Sequence, residues 1–205
     1  MEDFLTEEPL ELALVAGRPC LDFANHGQRL LRGSNPYAYL IEFSLASRLI
    51  SPEEAERLLL AASQRASQRE ALIGRVAALA EALKRGFEAL SRGQTPPARS
   101  LSLLNREIRN ANANLEIVEE DGSFRWEWRE SSPLALERPL WPIASDAGDL
   151  FTQEHPSRLK VCHSDPCHWL FFDTSKNSSR LWCDMAVCGN RAKARRFRKR
   201  HGAPD

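Results

Sequence analysis

Apolar residues recur at three- and four-residue intervals through the first half of this chain and then at intervals of two, and this change of period orders the predicted elements. From about Gln68 to Ser91, Leu72, Val76, Leu79, Leu83, Phe87 and Leu90 form one stripe, which predicts the longest helix. Gly93-Gln94-Thr95-Pro96-Pro97 interrupts it, and Leu101, Leu104, Ile108 and Ala111 resume the helical period. Upstream, Asn35-Pro36 supplies an N-cap and a proline for the first helical position. Tyr37, Leu40, Ile41, Ser44, Leu45 and Leu49 follow at helical spacing, so that helix should end near Leu49. Ser51-Pro52-Glu53-Glu54 has the form of a capping box, in which Ser51 bonds the Glu54 amide and Glu54 reaches back. The stretch from Leu12 to His26 reads as two short extended pieces around a Gly17-Arg18-Pro19 turn.

Period two takes over after Leu115. Leu115, Ile117 and Val118 lead into Asp121-Gly122, a strong hairpin signal, and Phe124, Trp126 and Trp128 alternate with polar or charged residues beyond it. This predicts a two-stranded antiparallel ribbon with one apolar face. Pro139 and Pro142 frustrate regular structure before a helix from about Ile143 to Thr152, and a boundary is expected near Gln153-Glu154-His155-Pro156-Ser157. The fold class is therefore α+β: a mainly helical domain with a small β-ribbon over 1–154, then a small treble-clef-like module, hairpin plus basic helix, over 155–205.

Charge sharpens that division. The whole chain balances at zero, but residues 1–154 hold 17 Lys+Arg against 24 Asp+Glu, giving −7, and residues 155–205 hold 11 against 4, giving +7. Only the C-terminal segment has the electrostatic footprint of a phosphate binder. No stretch approaches the roughly 20 apolar residues of a membrane span, and the acidic start, Met1-Glu2-Asp3-Phe4-Leu5-Thr6-Glu7-Glu8, does not resemble a signal peptide. A cytoplasmic protein without structural disulfides is expected, with nucleoid association if it binds DNA.

Cys162/Cys167 and Cys183/Cys188 are two pairs with four residues between the members of each. Two converging thiolate pairs are what a tetrahedral zinc ion requires, and a closed four-thiolate shell leaves no open position for catalysis. One structural zinc per chain is predicted. Free core cysteines, redox thiols and an iron–sulfur centre are the competing readings, and His163 and His168, beside the ligands, could replace one of them. Between the pairs, Trp169–Asp173 and Arg180–Trp182 are predicted as the two strands of a hairpin. So small a module should unfold without metal from about Arg158 onward, leaving the helical body folded. Cys20 reads as an ordinary buried residue.

The second pair runs into a helix-compatible segment with seven Lys/Arg in the eleven residues from Arg191 to His201: Arg191, Lys193, Arg195, Arg196, Arg198, Lys199 and Arg200. At 3.6 residues per turn Arg191, Arg195 and Arg198 share a face, and Lys193, Arg196 and Arg200 share another. Ala194 and Phe197 are expected to face the zinc knuckle. Guanidinium groups hold phosphates or guanine edges bidentately, and lysines add point charge. A nucleic acid, DNA or RNA, is the expected partner; the bland reading is a solvated helix that docks on an acidic protein surface.

The run Cys188-Gly189-Asn190-Arg191, with Trp182-Cys183 before it and Trp169-Leu170-Phe171-Phe172-Asp173-Thr174-Ser175 upstream, resembles the CGNR zinc finger over about forty residues, including all four ligands. The N-terminal part resembles the ABATE domain that accompanies this finger, through Cys20-Leu21-Asp22-Phe23-Ala24-Asn25, the helical middle and Asp149-Leu150-Phe151, with His26 where that pattern has threonine. The resemblance implies a bacterial transcription regulator whose finger binds DNA, in a stress-response context and with no enzymatic activity.

In the body, Asp22, Asn25, His26 and Arg29 form a compact polar cluster. They are candidate lining for a small-molecule effector pocket, the alternative being that Asp22 and Asn25 cap local structure. No nucleophile elbow, glycine-rich phosphate loop or second metal motif appears. The leading expectation is a zinc-dependent DNA-binding regulator, a homodimer whose body senses or dimerises. The alternative is an adaptor that docks an acidic partner through the finger, and an enzyme in the helical body is the third and least favoured reading.

Overall fold

A computed structural model describes residues 12–30, 35–129, 134–152, 156–165 and 167–202. Its order is α1 (Pro19–Leu30), α2 (Pro36–Ala46), α3 (Pro52–Gln64), α4 (Ala66–Ser91), α5 (Ala98–Asn112), β1 (Leu115–Glu120), β2 (Ser123–Trp128), α6 (Leu140–Thr152), β3 (Leu159–Val161), β4 (Leu170–Phe172) and α7 (Asn190–His201). The two sheets are separate antiparallel pairs, β1–β2 and β3–β4.

The long helix is α4, whose stripe Leu72, Val76, Leu79, Leu83 and Phe87 is buried. It packs on α1, α3 and α5, and α6 closes the bundle against α5 and α1. The approach of α1 to α4 is close enough that a Cβ on Gly27 would lie 2.4 Å from the Ala80 Cβ. Only glycine fits that crossing.

Where two extended pieces are expected, Pro19 instead opens helix α1. Gly17 makes the turn before it at φ 80°. Asp22, in the first helical turn, accepts hydrogen bonds from the Val15 and Ala16 amides (3.1 and 3.0 Å), and the Asp146 carboxylate accepts from the Cys20 amide (2.9 Å). Asp146 thus satisfies a donor that the helix leaves open, and Asp22 ties the preceding segment to its first turn. The overlooked signal is the polar set itself: Asp22, Asn25, His26 and Arg29 fall at i, i+3, i+4 and i+7, a helical period.

Two other boundaries shift. Helix α6 begins at Leu140, not near Ile143, because Pro142 sits in its first turn, where a missing N–H forfeits no intrahelical bond. The Ser51 hydroxyl accepts from the Glu54 amide at 3.1 Å as expected, but the Glu54 carboxylate turns away to Arg138 at 2.9 Å. The β1–β2 hairpin forms as predicted around Asp121 (φ 51°) and Gly122 (φ 78°), the two left-handed positions of a type I′ turn. Its apolar face is only partly covered: Trp128 packs on Trp141, whereas Ile117, Phe124 and Trp126 are 61%, 75% and 64% exposed.

In the C-terminal segment, β4 pairs with β3, Lys160 opposite Phe171, and not with Arg180–Trp182. The first cysteine pair turns the chain back, so the hairpin flanks that pair instead of linking the two. Residues 180–182 form no strand; they are tied in by a His163 N–H to Leu181 carbonyl bond (3.0 Å) and by the Arg180 amide, which donates to Asp173 (2.9 Å). The expected boundary partly coincides with residues 153–155, which lie outside the described residues.

The finger is joined to the body along the free edge of β4. The Asn25 side chain donates to the Leu170 carbonyl (2.8 Å) and accepts from the Leu170 amide (2.9 Å), filling the place of a neighbouring strand. The Phe172 amide donates to the Ala16 carbonyl (2.8 Å), and the His26 ring meets Trp169 edge-on at 4.9 Å. Leu159, Leu170 and Phe171 belong to the same buried cluster as Leu21, Phe23 and Leu83. The finger is thus part of the body's core, and its unfolding would strip cover from α1 and α4.

Candidate metal centre and nucleic-acid interface

The hairpin and the start of α7 each bring two thiols to one point. Cys162 directly follows β3, and Cys167 stands three residues before β4. Cys183 precedes, and Cys188 lies within, a single π-helical turn over Met185–Gly189 that leads straight into α7. Asp184 caps this turn, accepting from the Ala186 and Val187 amides at 2.6 and 3.0 Å. Asn190 then donates to the Ala186 carbonyl at 2.8 Å, and a Cβ on Gly189 would stand 3.3 Å from the Met185 sulfur. The Cys-Gly-Asn stretch therefore supplies a ligand, a close approach and a cap in three successive residues.

The four Sγ atoms lie within 4.8 Å of one another. Cys167 to Cys183 is 3.6 Å and Cys183 to Cys188 is 3.8 Å. A zinc ion with four Zn–S bonds of about 2.3 Å needs tetrahedral edges of about 3.8 Å, and a disulfide would need about 2 Å. The spacing fits zinc. Burial pushes the Cys167 thiol up to about 11. Burial also drives Cys183 strongly upward, with Cys167 and Cys162 adding to the shift. Cys162 goes down despite its burial, because backbone donors at Cys183 and Ser164 favour its thiolate. Four anionic sulfurs packed this closely need a cation among them, and a divalent metal supplies it. The cysteines hold one structural zinc ion. His163 and His168 are exposed and outside the ligand group, and Cys20 is a buried core residue of α1.

A second polar hub stiffens the finger and was not legible in the ligand spacing. The Asp173 carboxylate is fully buried and accepts from Lys160 Nζ (2.6 Å), Ser175 Oγ (2.6 Å), and the Ser175 and Arg180 amides (2.9 Å each). Its burial would raise the pKa, but these donors outweigh it and hold the carboxyl well below the usual range. Lys160 also donates to the Ser178 carbonyl, so one lysine closes both ends of the 173–180 loop.

All seven basic side chains of α7 are exposed. They are not equivalent. Arg195 reaches back to Asp165, Nη1 to the carboxylate at 3.3 Å and Nη2 to the carbonyl at 2.9 Å. The Arg196 guanidinium stands 6.0 Å from the Trp182 ring centre. These two fasten the helix to the knuckle. Arg191, Lys193, Arg198, Lys199 and Arg200 have no ion pair among the described residues. Phe197, expected to face the knuckle, is 63% exposed and stacks on His201 at 4.1 Å, and Ala194 is exposed as well. Arg195 and Arg196 reach the knuckle instead.

Three residues of the N-terminal cluster bond to other segments of the chain. Asp22 is tied to the Val15 and Ala16 amides, Asn25 to Leu170, and His26 Nε2 to the Ala13 carbonyl (3.1 Å), while Arg29 is exposed. Burial raises the Asp22 pKa to about 6, its two backbone donors offsetting part of the shift. Burial likewise lowers that of His26, against the Ala13 bond that favours its charged form. Three of the four residues hold chain segments together.

Residues 17–154 match the ABATE family, described as "putative stress-induced transcription regulator", and residues 158–201 match the CGNR zinc finger. No curated protein matches the chain. Among the described residues no helix is long and apolar enough to cross a membrane.

Proposed function

The chain belongs to the ABATE family and ends in a CGNR zinc finger, and from that premise we propose that it is a DNA-binding transcriptional regulator that works by binding and catalyses no reaction. The observation that carries this reading is α7: a zinc-anchored helix whose Arg191, Lys193, Arg198, Lys199 and Arg200 are exposed and unpaired among the described residues. Cations held on a rigid element and free of internal partners are available to phosphates. Arg195 and Arg196 set the pose of the helix, and their neighbours touch the nucleic acid.

One short finger binds weakly, so the reading includes a homodimer that doubles the half-sites. The exposed Ile117 and Phe124 on the ribbon support a dimerisation role for the body. The body also senses a small-molecule effector. In the stress-response setting that the family name suggests, the protein acts in the cytoplasm on the nucleoid.

Fluorescence anisotropy of the zinc-loaded chain on labelled duplex tests the interface. Changing Arg191, Arg198 and Arg200 together to glutamine should abolish binding while zinc content stays at one per chain. In the corresponding single variants, log affinity against log salt should flatten by about 0.9 for each phosphate that is no longer neutralised. If the triple variant binds as tightly as the parent at about 0.15 M salt, the helix is not the interface and docking on an acidic protein becomes the better account.

A further inference from the structure

A cleft of about 340 Å³ lies between the ribbon and the body. Trp126 and Trp128 of β2, Trp141 of α6 and Arg138 are among its walls. Cavities of this size suit small molecules. Its lining among the described residues holds four arginines and two glutamates. Both glutamates are already engaged: Glu54 by Arg138 at 2.9 Å and Glu127 by Arg125 at 2.6 Å.

Two donors in this wall have no acceptor. Trp141 is only 2% exposed, yet its Nε1 finds no partner among the described residues, and neither does the buried Nη1 of Arg138. Both atoms can only donate. Native interiors rarely leave such groups unmatched, and those that remain call for a missing acceptor. The Arg138 guanidinium is wedged 5.7 Å from the ring centres of both Trp128 and Trp141, and its burial lowers its pKa, which Glu54 only partly offsets. An acceptor with negative charge would satisfy both donors and relieve the desolvated cation. Beside them, Trp126 offers a largely exposed indole face.

We propose that this cleft binds a small organic anion with a flat aromatic body, the anionic group accepting from Trp141 Nε1 and Arg138 Nη1 and the ring stacking on Trp126. The inference gives the effector of the preceding section a site and a chemical class, and rests on that reading only for its consequence at DNA. The site is distinct from the cluster of α1, where Asp22, Asn25 and His26 Nε2 bond to Ala16, Leu170 and Ala13.

The zinc-loaded full chain is titrated with benzoate and with phenyl phosphate, reading intrinsic fluorescence; three of the five tryptophans line the cleft. At least one anion should quench saturably, and neutral benzamide should bind about tenfold more weakly, as expected when a charged hydrogen bond is lost. Trp141→Phe keeps the ring and removes the donor, so it should weaken the anion about tenfold and leave benzamide nearly unchanged. Should that variant fail to fold, Trp126→Ala, at a largely exposed position, decides: it should weaken anion and amide alike. Absence of saturable quenching by either anion, equal affinity for benzamide, or parental affinity in Trp126→Ala would overturn the site. An anion that binds the cleft yet leaves DNA affinity unchanged keeps the site and overturns the sensing role, whereas loss of DNA binding in the α7 variant alone leaves the cleft untouched.

Discussion

Removing the Asn25 side chain should loosen the finger from the body without touching a zinc ligand. Its amide donates to the Leu170 carbonyl at 2.8 Å and accepts from the Leu170 amide at 2.9 Å, and Leu170 is fully buried. The inner edge of β4 pairs with β3 through Lys160 and Phe171, so the Leu170 groups face away from that strand. Asn25→Ala leaves a donor and an acceptor unsatisfied at once. Each such group costs about 1–3 kcal/mol, and partial access of water to the gap puts the sum nearer the low end, at about 2–4 kcal/mol. For a chain of this length that lowers the melting temperature by very roughly 5–15 °C. Urea and thermal unfolding of the zinc-loaded protein, followed by circular dichroism with metal content measured alongside, is the assay. Asn25→Asp should be at least as damaging, because a carboxylate would face the Leu170 carbonyl. A loss below about 0.5 kcal/mol, within the ordinary range of surface substitutions, would show that the paired bonds do not dock the finger.

Cys183→Ser should abolish stoichiometric zinc and, because Leu159, Leu170 and Phe171 share the core with α1 and α4, should also lower the stability of the helical body; a body that melts as in the parent would refute the shared core. Lys160→Met should cost about 3 kcal/mol, since it strands the buried Asp173 carboxylate, with the melt of the zinc-loaded chain as readout. Asp22 has a folded pKa raised by burial from 3.8 to about 6, so its contribution is full below about pH 4 and falls as pH rises through about 6. The parent should therefore lose on the order of 3 kcal/mol relative to Asp22→Asn between pH 4 and pH 7.5, and a pH-independent difference between the two melts would contradict the assignment.

The helices of the body are legible in the sequence because their apolar stripes and caps are local: the Asn35 and Ser51 caps and the α4 stripe need no tertiary information. Helix α1 is not, because Gly17 and Pro19 resemble a turn inside an extended segment, and because the acid that completes its N-terminus, Asp146, stands 126 residues beyond the Cys20 amide it accepts from. Strand β4 can be placed from sequence, but its partner cannot. Three-residue strands carry too little periodicity to select between 159–161 and 180–182, and the choice is made by the turn at the first cysteine pair. The zinc ligands are readable from spacing alone, since equal pairs of thiols carry their own geometry. The cleft is not, because Trp126, Trp141 and Arg138 meet only after the ribbon folds over the N-terminus of α3 and the start of α6.

Selection of bound fragments from random duplex DNA by the zinc-loaded full chain tests the central claim most directly. A regulator must prefer one site over bulk DNA by a large factor, typically about 10³ or more. The account predicts enrichment of a defined sequence, abolished when zinc is removed or when Arg191, Arg198 and Arg200 are changed together to glutamine. Recovery of an unenriched pool, or enrichment that survives both perturbations, would contradict it.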